Sequence, residues 1–320
     1  MDRPPTSTAI AAIDCGTNST RLLVADGQGR PLERLMRITR LGQGVDATGR
    51  LAPEAIERCL AALREFRGVM DGLGVTRGRL TATSAARDAA NGADFLAAAG
   101  EVTGLRPELL SGLEEGRLSL AGAVADLDLG DGPFLVLDIG GGSTELVAAD
   151  GPDDPALAAV SLQLGCVRLS ERFLTDDPPT GAELSAAAEE VATQLGSAVA
   201  AHPRYRETRR LVGLAGTVST LASVHRQLAE YDRDLVHHTV LTAVDVGHWC
   251  RELAADTAAQ RLARPGMMPG RQDVIVGGAL ILDEVMSQLG FDECLVSEAD
   301  ILDGLVASLL GVGQADAGSA

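Results

Sequence analysis

Two segments of the chain combine an aspartate with a turn rich in glycine, serine and threonine. Residues 14–26 read DCGTNSTRLLVAD, and residues 138–150 read DIGGGSTELVAAD. Glycine lets backbone amides approach an anion closely, hydroxyls add hydrogen bonds, and an aspartate can hold Mg²⁺ directly or through water. The residue types therefore predict two loops that bind phosphate groups. Two inert hairpin turns are the alternative.

The two segments are also related to each other. Seven of their 13 aligned positions are identical, and the second copy begins 124 residues after the first. The agreement includes apolar residues beyond the turn, which favours an internal duplication. We expect two strand–turn–strand hairpins, each at the start of a half-chain. Glu145 replaces Arg21 in the alignment, so one copy offers a second carboxylate and the other an arginine.

Two further segments could contribute to the same chemistry. In LVGLAGT (211–217), Gly216 and Thr217 follow a predicted strand and begin a helix, where free amides can bind an anion. This pattern is weak alone and gains weight beside two candidate loops. In SGLEEGRL (111–118), Ser111 and Glu114 have the spacing of a capping box. Glu115 then lies in the first turn, where its spacing alone indicates only interaction with the helix dipole, worth about 0.3–1 kcal/mol.

The elements that position these segments alternate between strands and helices, which is typical of an α/β chain. Strands are expected at residues 8–13, 20–26, 32–40, 79–84, 106–110 and 294–297, in addition to the second hairpin. Helices are expected at residues 53–70, 91–100, 113–125, 180–201, 217–229, 242–255, 273–289 and 299–310. The acidic, glycine-rich stretch 126–133 resembles a connection. We therefore predict domains at 1–128 and 129–312, with a disordered tail at 313–320.

Composition restricts the class of protein. The chain has 320 residues, a net charge of −18 and only 2% aromatic residues. The length favours two domains, the charge disfavours nonspecific nucleic-acid binding, and few rings are available for base stacking. Five cysteines without a CxxC pattern, no signal-peptide pattern and no long apolar run predict a reduced cytoplasmic protein outside the membrane.

The histidines and serines do not indicate another type of metal site or catalytic mechanism. His237 and His238 stand before a predicted helix without a nearby cysteine or third histidine, which argues against zinc and favours a structural role. No GxSxG segment supports acyl transfer.

The ordered set of segments resembles the exopolyphosphatase/guanosine pentaphosphate phosphatase family of the actin–Hsp70–sugar kinase superfamily. The matching segments are AIDCGTNSTRLLVAD (12–26), TSAARDAAN (83–91), SGLEEGRL (111–118), LVLDIGGGSTELV (135–147), LGCVRLSERF (164–173), GLAGTVSTLA (213–222), RQDVIVGGALIL (271–282) and SEADILDGL (297–305). The resemblance implies two actin-like (ribonuclease H-like) domains with an interlobe cleft, in a short form without additional C-terminal helical domains. It also implies a homodimer.

The resemblance implies hydrolysis of terminal phosphates from inorganic polyphosphate with Mg²⁺ or Mn²⁺. Guanosine pentaphosphate is the alternative substrate. Glu115 is then the general base, and Arg87 faces the reacting phosphate rather than forming a surface salt bridge with Asp88 or Asp94. Asp138 and Glu145 are then expected to bind the metal. Asp14 is the equivalent of Asp138 in the first copy and is expected to bind metal too, unless it only stabilises its own turn. Phosphate contacts are expected from Thr17, Asn18, Ser19, Arg21, Gly140, Gly141, Gly142, Ser143, Gly216 and Thr217, and from Arg168 and Arg271.

Two other functions remain open from the sequence. A kinase of the same superfamily would keep both phosphate loops, but Glu115 after SGL and the lack of sizeable insertions argue against it. A noncatalytic nucleotide-binding or filament-forming relative would not need the complete set Glu115, Asp138 and Glu145.

Overall fold

The structure is a computed structural model that describes residues 9–317, with side chains up to residue 311. It contains two compact units. The first comprises the chain up to Ser111 together with the chain from Ile301 onward, and the second comprises Gly112–Asp300. Over the residues that the structure describes, no helix has the length and apolar character needed to cross a membrane.

The first unit is built on a five-stranded sheet in the order β3-β2-β1-β4-β5. Its strands are β1 (Ile10–Cys15), β2 (Ser19–Ala25), β3 (Pro31–Ile38), β4 (Arg77–Ala82) and β5 (Pro107–Leu109). Its helices are α1 (Val45–Thr48), α2 (Pro53–Gly72), α3 (Ser84–Asp88), α4 (Gly92–Thr103) and a C-terminal helix, Ile301–Ala317. Strand β1 is buried along its whole length, because helices cover both faces of the sheet.

The second unit is built on a six-stranded sheet in the order β10-β11-β9-β6-β7-β8. The strands are β6 (Phe134–Ile139), β7 (Thr144–Ala149), β8 (Ala158–Leu162), β9 (Arg210–Leu214), β10 (Val240–Thr242) and β11 (Glu293–Val296). The helices are α5 (Gly112–Ala123), α6 (Cys166–Phe173), α7 (Gly181–Ala201), α8 (Ala215–His225), α9 (Arg233–Val236), α10 (Ala243–Ala255), α11 (Ala258–Ala263) and α12 (Ile275–Leu289). The aliphatic core gathers around α12, whose residues from Ile275 to Leu282 are all buried.

The duplication predicted from the hairpins extends through both sheets. Strands β8-β7-β6-β9-β11 repeat the order and directions of β3-β2-β1-β4-β5, and β10 is added at the edge. The hairpins also share one register, because Asp14 faces Arg21 and Asp138 faces Glu145. The prediction of an α/β chain with two actin-like (ribonuclease H-like) domains is confirmed.

The compact units divide the chain differently from the predicted boundary after residue 128. Helix α5 packs on β6, β7 and β8, so Glu115 belongs to the second unit. The C-terminal helix packs on β1, β2 and β4 and so completes the first unit. The C-terminal helix, Ile301–Ala317, extends past the start of the predicted disordered tail at residue 313, and the disorder itself stays a prediction. Residues 312–317 contain no proline and a single glycine, so nothing ends the helix earlier. Residues 318–320 lie outside the described part.

Candidate active site

The second glycine-rich loop is held by the start of helix α6. The backbone N–H of Cys166 donates to the carbonyl of Gly140 at 2.9 Å, and that of Val167 donates to Gly141 at 2.9 Å. Arg168 donates through Nε to the carbonyl of Gly142 at 2.7 Å. The structure thus places Arg168 as a support of the loop backbone.

These carbonyl bonds fix the direction of the loop amides. In a trans peptide the C=O and N–H point in opposite directions. The N–H groups of Gly141, Gly142 and Ser143 therefore point away from α6. Successive N–H groups turned toward one side form a concavity that suits an anion. This geometry supports the prediction that residues 140–143 contact phosphate.

The first loop is built in the same way by the chain that follows β3. The carbonyl of Asn18 accepts from the backbone N–H groups of Thr39 at 3.1 Å and Arg40 at 3.0 Å, and Thr17 accepts from Gly42 at 2.9 Å. The amides of Asn18 and Ser19 consequently point away from that segment. The side-chain Nδ2 of Asn18 is buried and has no hydrogen-bond partner among the described residues. A buried donor left unsatisfied is costly, so a phosphate oxygen fits this position.

Arg87 is placed beside the first loop within the first unit. Thr17 Oγ1 lies 2.9 Å from the hydroxyl of Ser84, which begins helix α3, and Arg87 follows one turn later. Arg87 Nη1 donates to the carbonyl of Leu110 at 2.8 Å. Thr17, Asn18 and Arg87, all predicted from the sequence, are thereby brought to the same edge of the first sheet.

The two hairpins differ in the charge that faces the loop aspartate. In the first unit, Arg21 Nη2 lies 2.7 Å from Asp14 Oδ2, so the two charges neutralise each other. In the second unit, Glu145 occupies the arginine's position and faces Asp138. Directly opposed residues on antiparallel strands have Cβ atoms about 4.5–5.5 Å apart, where like charges repel. A divalent cation removes this repulsion, so Asp138 and Glu145 fit a metal better than Asp14 does.

Helix α5 crosses this part of the second sheet. Gly112 lies against Ser161 on β8, and Gly116 lies against Val147 and Glu145 on β7. Further along, Ser119 Oγ donates to Asp138 Oδ2 on β6 at 2.7 Å. Glu115 adjoins Gly116 and stands four residues before Ser119, a spacing that puts both side chains on one helix face. Glu115 is 8% exposed, Asp138 8% and Glu145 1%, so α5 carries one buried carboxylate and packs on the two strands that carry the others.

The third loop, at the start of α8, lies against Arg271 and close to the start of α6. A side chain at Gly216 would overlap the Arg271 guanidinium, which therefore lies directly against the Gly216 backbone. Burial raises the pKa of the Cys166 thiol, and the positive charge of Arg271 opposes that rise. Ala215 has a φ of 66°, a left-handed conformation whose strain concentrates at functional sites. Gly216, Thr217 and Arg271 thus lie near Cys166, whose backbone N–H donates to the carbonyl of Gly140 in the second loop.

His237 and His238 belong to a separate cluster with Asp126, in which one potential ligand atom from each side chain lies within 4.8 Å of the others. The backbone N–H of Glu298 donates to Nδ1 of His237 at 3.0 Å. The neutral ring must then carry its proton on Nε2, which lies 2.9 Å from Asp126 Oδ2. His237 therefore links two segments as a hydrogen-bonding residue, a geometry that a metal on Nε2 would break.

Close packing against the second loop makes Gly165 sensitive to substitution. In Gly165→Ala the new Cβ would overlap the carbonyl group of Gly141 and lie 2.5 Å from the amide nitrogen of Gly142. We expect a loss of about 1–3 kcal/mol in the free energy of unfolding, measured with urea, because overpacking strains the backbone. Phosphate release should fall as well, because the loop amides are displaced.

Gly196→Ala is the matched control, since Gly196 lies in α7 and nothing stands within 4 Å of its Cβ position. Alanine should stabilise that helix by roughly 0.5–1 kcal/mol. Equal stability of the Gly165→Ala and wild-type proteins would contradict the packing described around the loop.

Comparisons with known proteins identify the family of the chain. The model of the Ppx/GppA phosphatase family matches residues 23–312. Exopolyphosphatase 2 of Mycobacterium tuberculosis is 43% identical over 320 residues, which cover 95% of this chain and 99% of that protein. A crystal structure of an exopolyphosphatase-like protein matches with 36% identity and a TM-score of 0.89, covering 95% of this chain and 99% of that one. An exopolyphosphatase from Cytophaga hutchinsonii matches with 26% identity and a TM-score of 0.86, covering 95% and 98%. The chain belongs to the Ppx/GppA phosphatase family.

Proposed function

We propose that this protein is an exopolyphosphatase that removes terminal phosphates from inorganic polyphosphate and releases orthophosphate. The observation that carries the proposal is the arrangement in the second unit. There, the buried carboxylates Glu115, Asp138 and Glu145 accompany a loop whose amides point to one side. The name of the Mycobacterium tuberculosis relative supports the choice of substrate.

In the proposed reaction, Glu115 accepts a proton from a water molecule as the water oxygen attacks the terminal phosphorus. The bond between that phosphorus and the bridging oxygen breaks, and the bridging oxygen leaves with the shortened chain. General-base assistance of this kind typically increases the reaction rate about 10²–10⁴-fold. The proton and the leaving chain balance the reaction without a covalent enzyme intermediate.

The remaining residues bind and orient phosphate groups. In the second unit, the amides of Gly141, Gly142 and Ser143 and the Arg271 guanidinium face anionic oxygens, and preorganised donors stabilise charge that develops during transfer. A Mg²⁺ or Mn²⁺ ion held by Asp138 and Glu145 would supply further positive charge to those oxygens.

The first unit has phosphate-binding residues of its own in this proposal. Arg87 and Arg21 contact phosphate groups together with Thr17, Asn18 and Ser19. A planar guanidinium can bind two phosphate oxygens at once. Asp14 is left out of the metal set because Arg21 already neutralises it.

A substrate comparison tests the proposal. Phosphate release should be measured side by side from length-defined polyphosphates and from guanosine pentaphosphate, with ATP plus hydroxyl acceptors as a third arm. Faster turnover of polyphosphate is expected. Preference for guanosine pentaphosphate would assign the alternative phosphohydrolase activity, and acceptor-dependent ATP consumption would assign a kinase.

The enzyme is further expected to work from chain ends and to release single orthophosphates. Loop amides and arginine side chains suit the charge of a terminal phosphate group, and the net charge of −18 disfavours contact of the remaining polyanion with the rest of the protein surface. Short chains should therefore be processed at least as well as long ones, and rising salt should weaken binding. Gel analysis of a long polyphosphate checks the direction of attack. Early fragments of intermediate length with little free phosphate would show internal cleavage.

A further inference from the structure

Two serines bond to the carboxylates that face each other in the second hairpin. Ser119 Oγ donates to Asp138 Oδ2 at 2.7 Å, and Ser161 Oγ donates to Glu145 Oε1 at 2.7 Å. Ser119 is completely buried, and Ser161 is the direct register partner of Glu145 on the neighbouring strand β8. Each hydroxyl bonds to one oxygen of its carboxylate. The same bond restricts the orientation of the second oxygen.

Helix α5 connects the two serines. Ser119 lies on the helix itself, and the first residue of the helix, Gly112, packs directly on Ser161. Gly112, Gly116 and Ser119 follow one another at helical spacing and meet β8, β7 and β6 in turn. Any side chain at Gly112 would overlap Ser161, so the helix can approach the sheet this closely only with glycine there. The helix that carries Glu115 is thus tied at two points to the carboxylate pair.

We propose that Ser119 and Ser161 are positioning residues that hold the Asp138 and Glu145 carboxylates toward a shared divalent cation and set their place relative to Glu115. The inference rests on the proposed metal-dependent function. Outer-shell hydrogen bonds of this type orient metal ligands, and their loss typically weakens metal affinity or activity about 10–100-fold. Neither serine touches substrate in this assignment, because each acts through a carboxylate.

The test uses the full-length protein and measures Mn²⁺ binding by electron paramagnetic resonance without substrate. Ser119→Ala and Ser161→Ala should each weaken Mn²⁺ binding about 10–100-fold and raise the Mg²⁺ concentration for half-maximal phosphate release. At saturating Mg²⁺ the rate should recover. Ser223→Ala is the matched control for Ser119→Ala, because Ser223 is also a fully buried helical serine and its hydroxyl has no hydrogen-bond partner among the described residues. Its Mn²⁺ affinity should equal that of the wild type.

A double-mutant cycle separates positioning from general damage to the fold. In an Asp138→Asn background, Ser119→Ala should change Mn²⁺ affinity much less than it does in the wild type, because both act through one carboxylate. If alanine at position 119 destabilises the core, Ser119→Cys, whose side chain has a similar volume, takes its place in the same Mn²⁺-binding measurement. If wild-type protein binds Mn²⁺ and all three serine-to-alanine variants bind it equally, the positioning role is overturned. Weaker binding in Ser119→Ala and Ser161→Ala without phosphate release from polyphosphate by the wild type would support positioning and refute the proposed substrate.

Discussion

Replacement of Glu115 by glutamine is expected to lower the rate of phosphate release about 10²–10⁴-fold, the usual contribution of a general base. Glutamine keeps the shape of the side chain and loses the ability to accept a proton. The affinity for polyphosphate should change little, because amides and arginines provide the phosphate contacts. Steady-state rates at saturating substrate, together with an independent binding measurement on the inactive variant, check both parts.

Glu114→Gln is the matched control for this experiment. Glu114 occupies the preceding position of the same helix turn and is exposed, whereas Glu115 is buried. The control should retain nearly full activity. A rate for Glu115→Gln within about threefold of the wild type, far short of the loss expected for a general base, would remove Glu115 from the proton-transfer step.

Removal of divalent cations is expected to abolish phosphate release, and added Mg²⁺ or Mn²⁺ should restore it. Two buried carboxylates in direct register, Asp138 and Glu145, repel each other unless positive charge lies near them. Asp138→Asn and Glu145→Gln should therefore weaken Mn²⁺ binding by more than the roughly 10–100-fold expected for loss of an outer-shell bond. Full activity in excess EDTA, with no metal retained by the protein, would refute the metal requirement.

The duplicated hairpin provides the control for the metal prediction. Asp14 has the same place in the first hairpin that Asp138 has in the second, but it pairs with Arg21 at 2.7 Å. Asp14→Asn should leave Mn²⁺ affinity unchanged even if it disturbs the first loop. A loss of Mn²⁺ binding equal to that of Asp138→Asn would return Asp14 to the set of metal ligands.

The sequence by itself determined the features that depend on residues close together in the chain. Residues 14–26 and 138–150 each carry a strand, a turn and a returning strand. The shared register of the two hairpins follows from that local pattern. Apolar spacing likewise indicated helix α2 to within two residues, at 53–70 against Pro53–Gly72. These features were predictable because backbone propensity and side-chain periodicity act over a few residues.

The tertiary structure alone decided which distant residues meet. The acidic stretch 126–133 resembled a domain boundary, which would place α5 in the first domain. Helix α5 instead packs on β6, β7 and β8, because Gly112 and Gly116 have no side chains and let the strands approach closely. Strand β8 (Ala158–Leu162) has no strong strand residues apart from Val160 and was not predicted. Because the position of β8 and the packing of α5 were not predictable, neither Ser119 nor Ser161 could be paired with a carboxylate from the sequence. Contacts across 16 to 19 residues depend on how helices pack on a sheet, and local sequence patterns do not encode that packing.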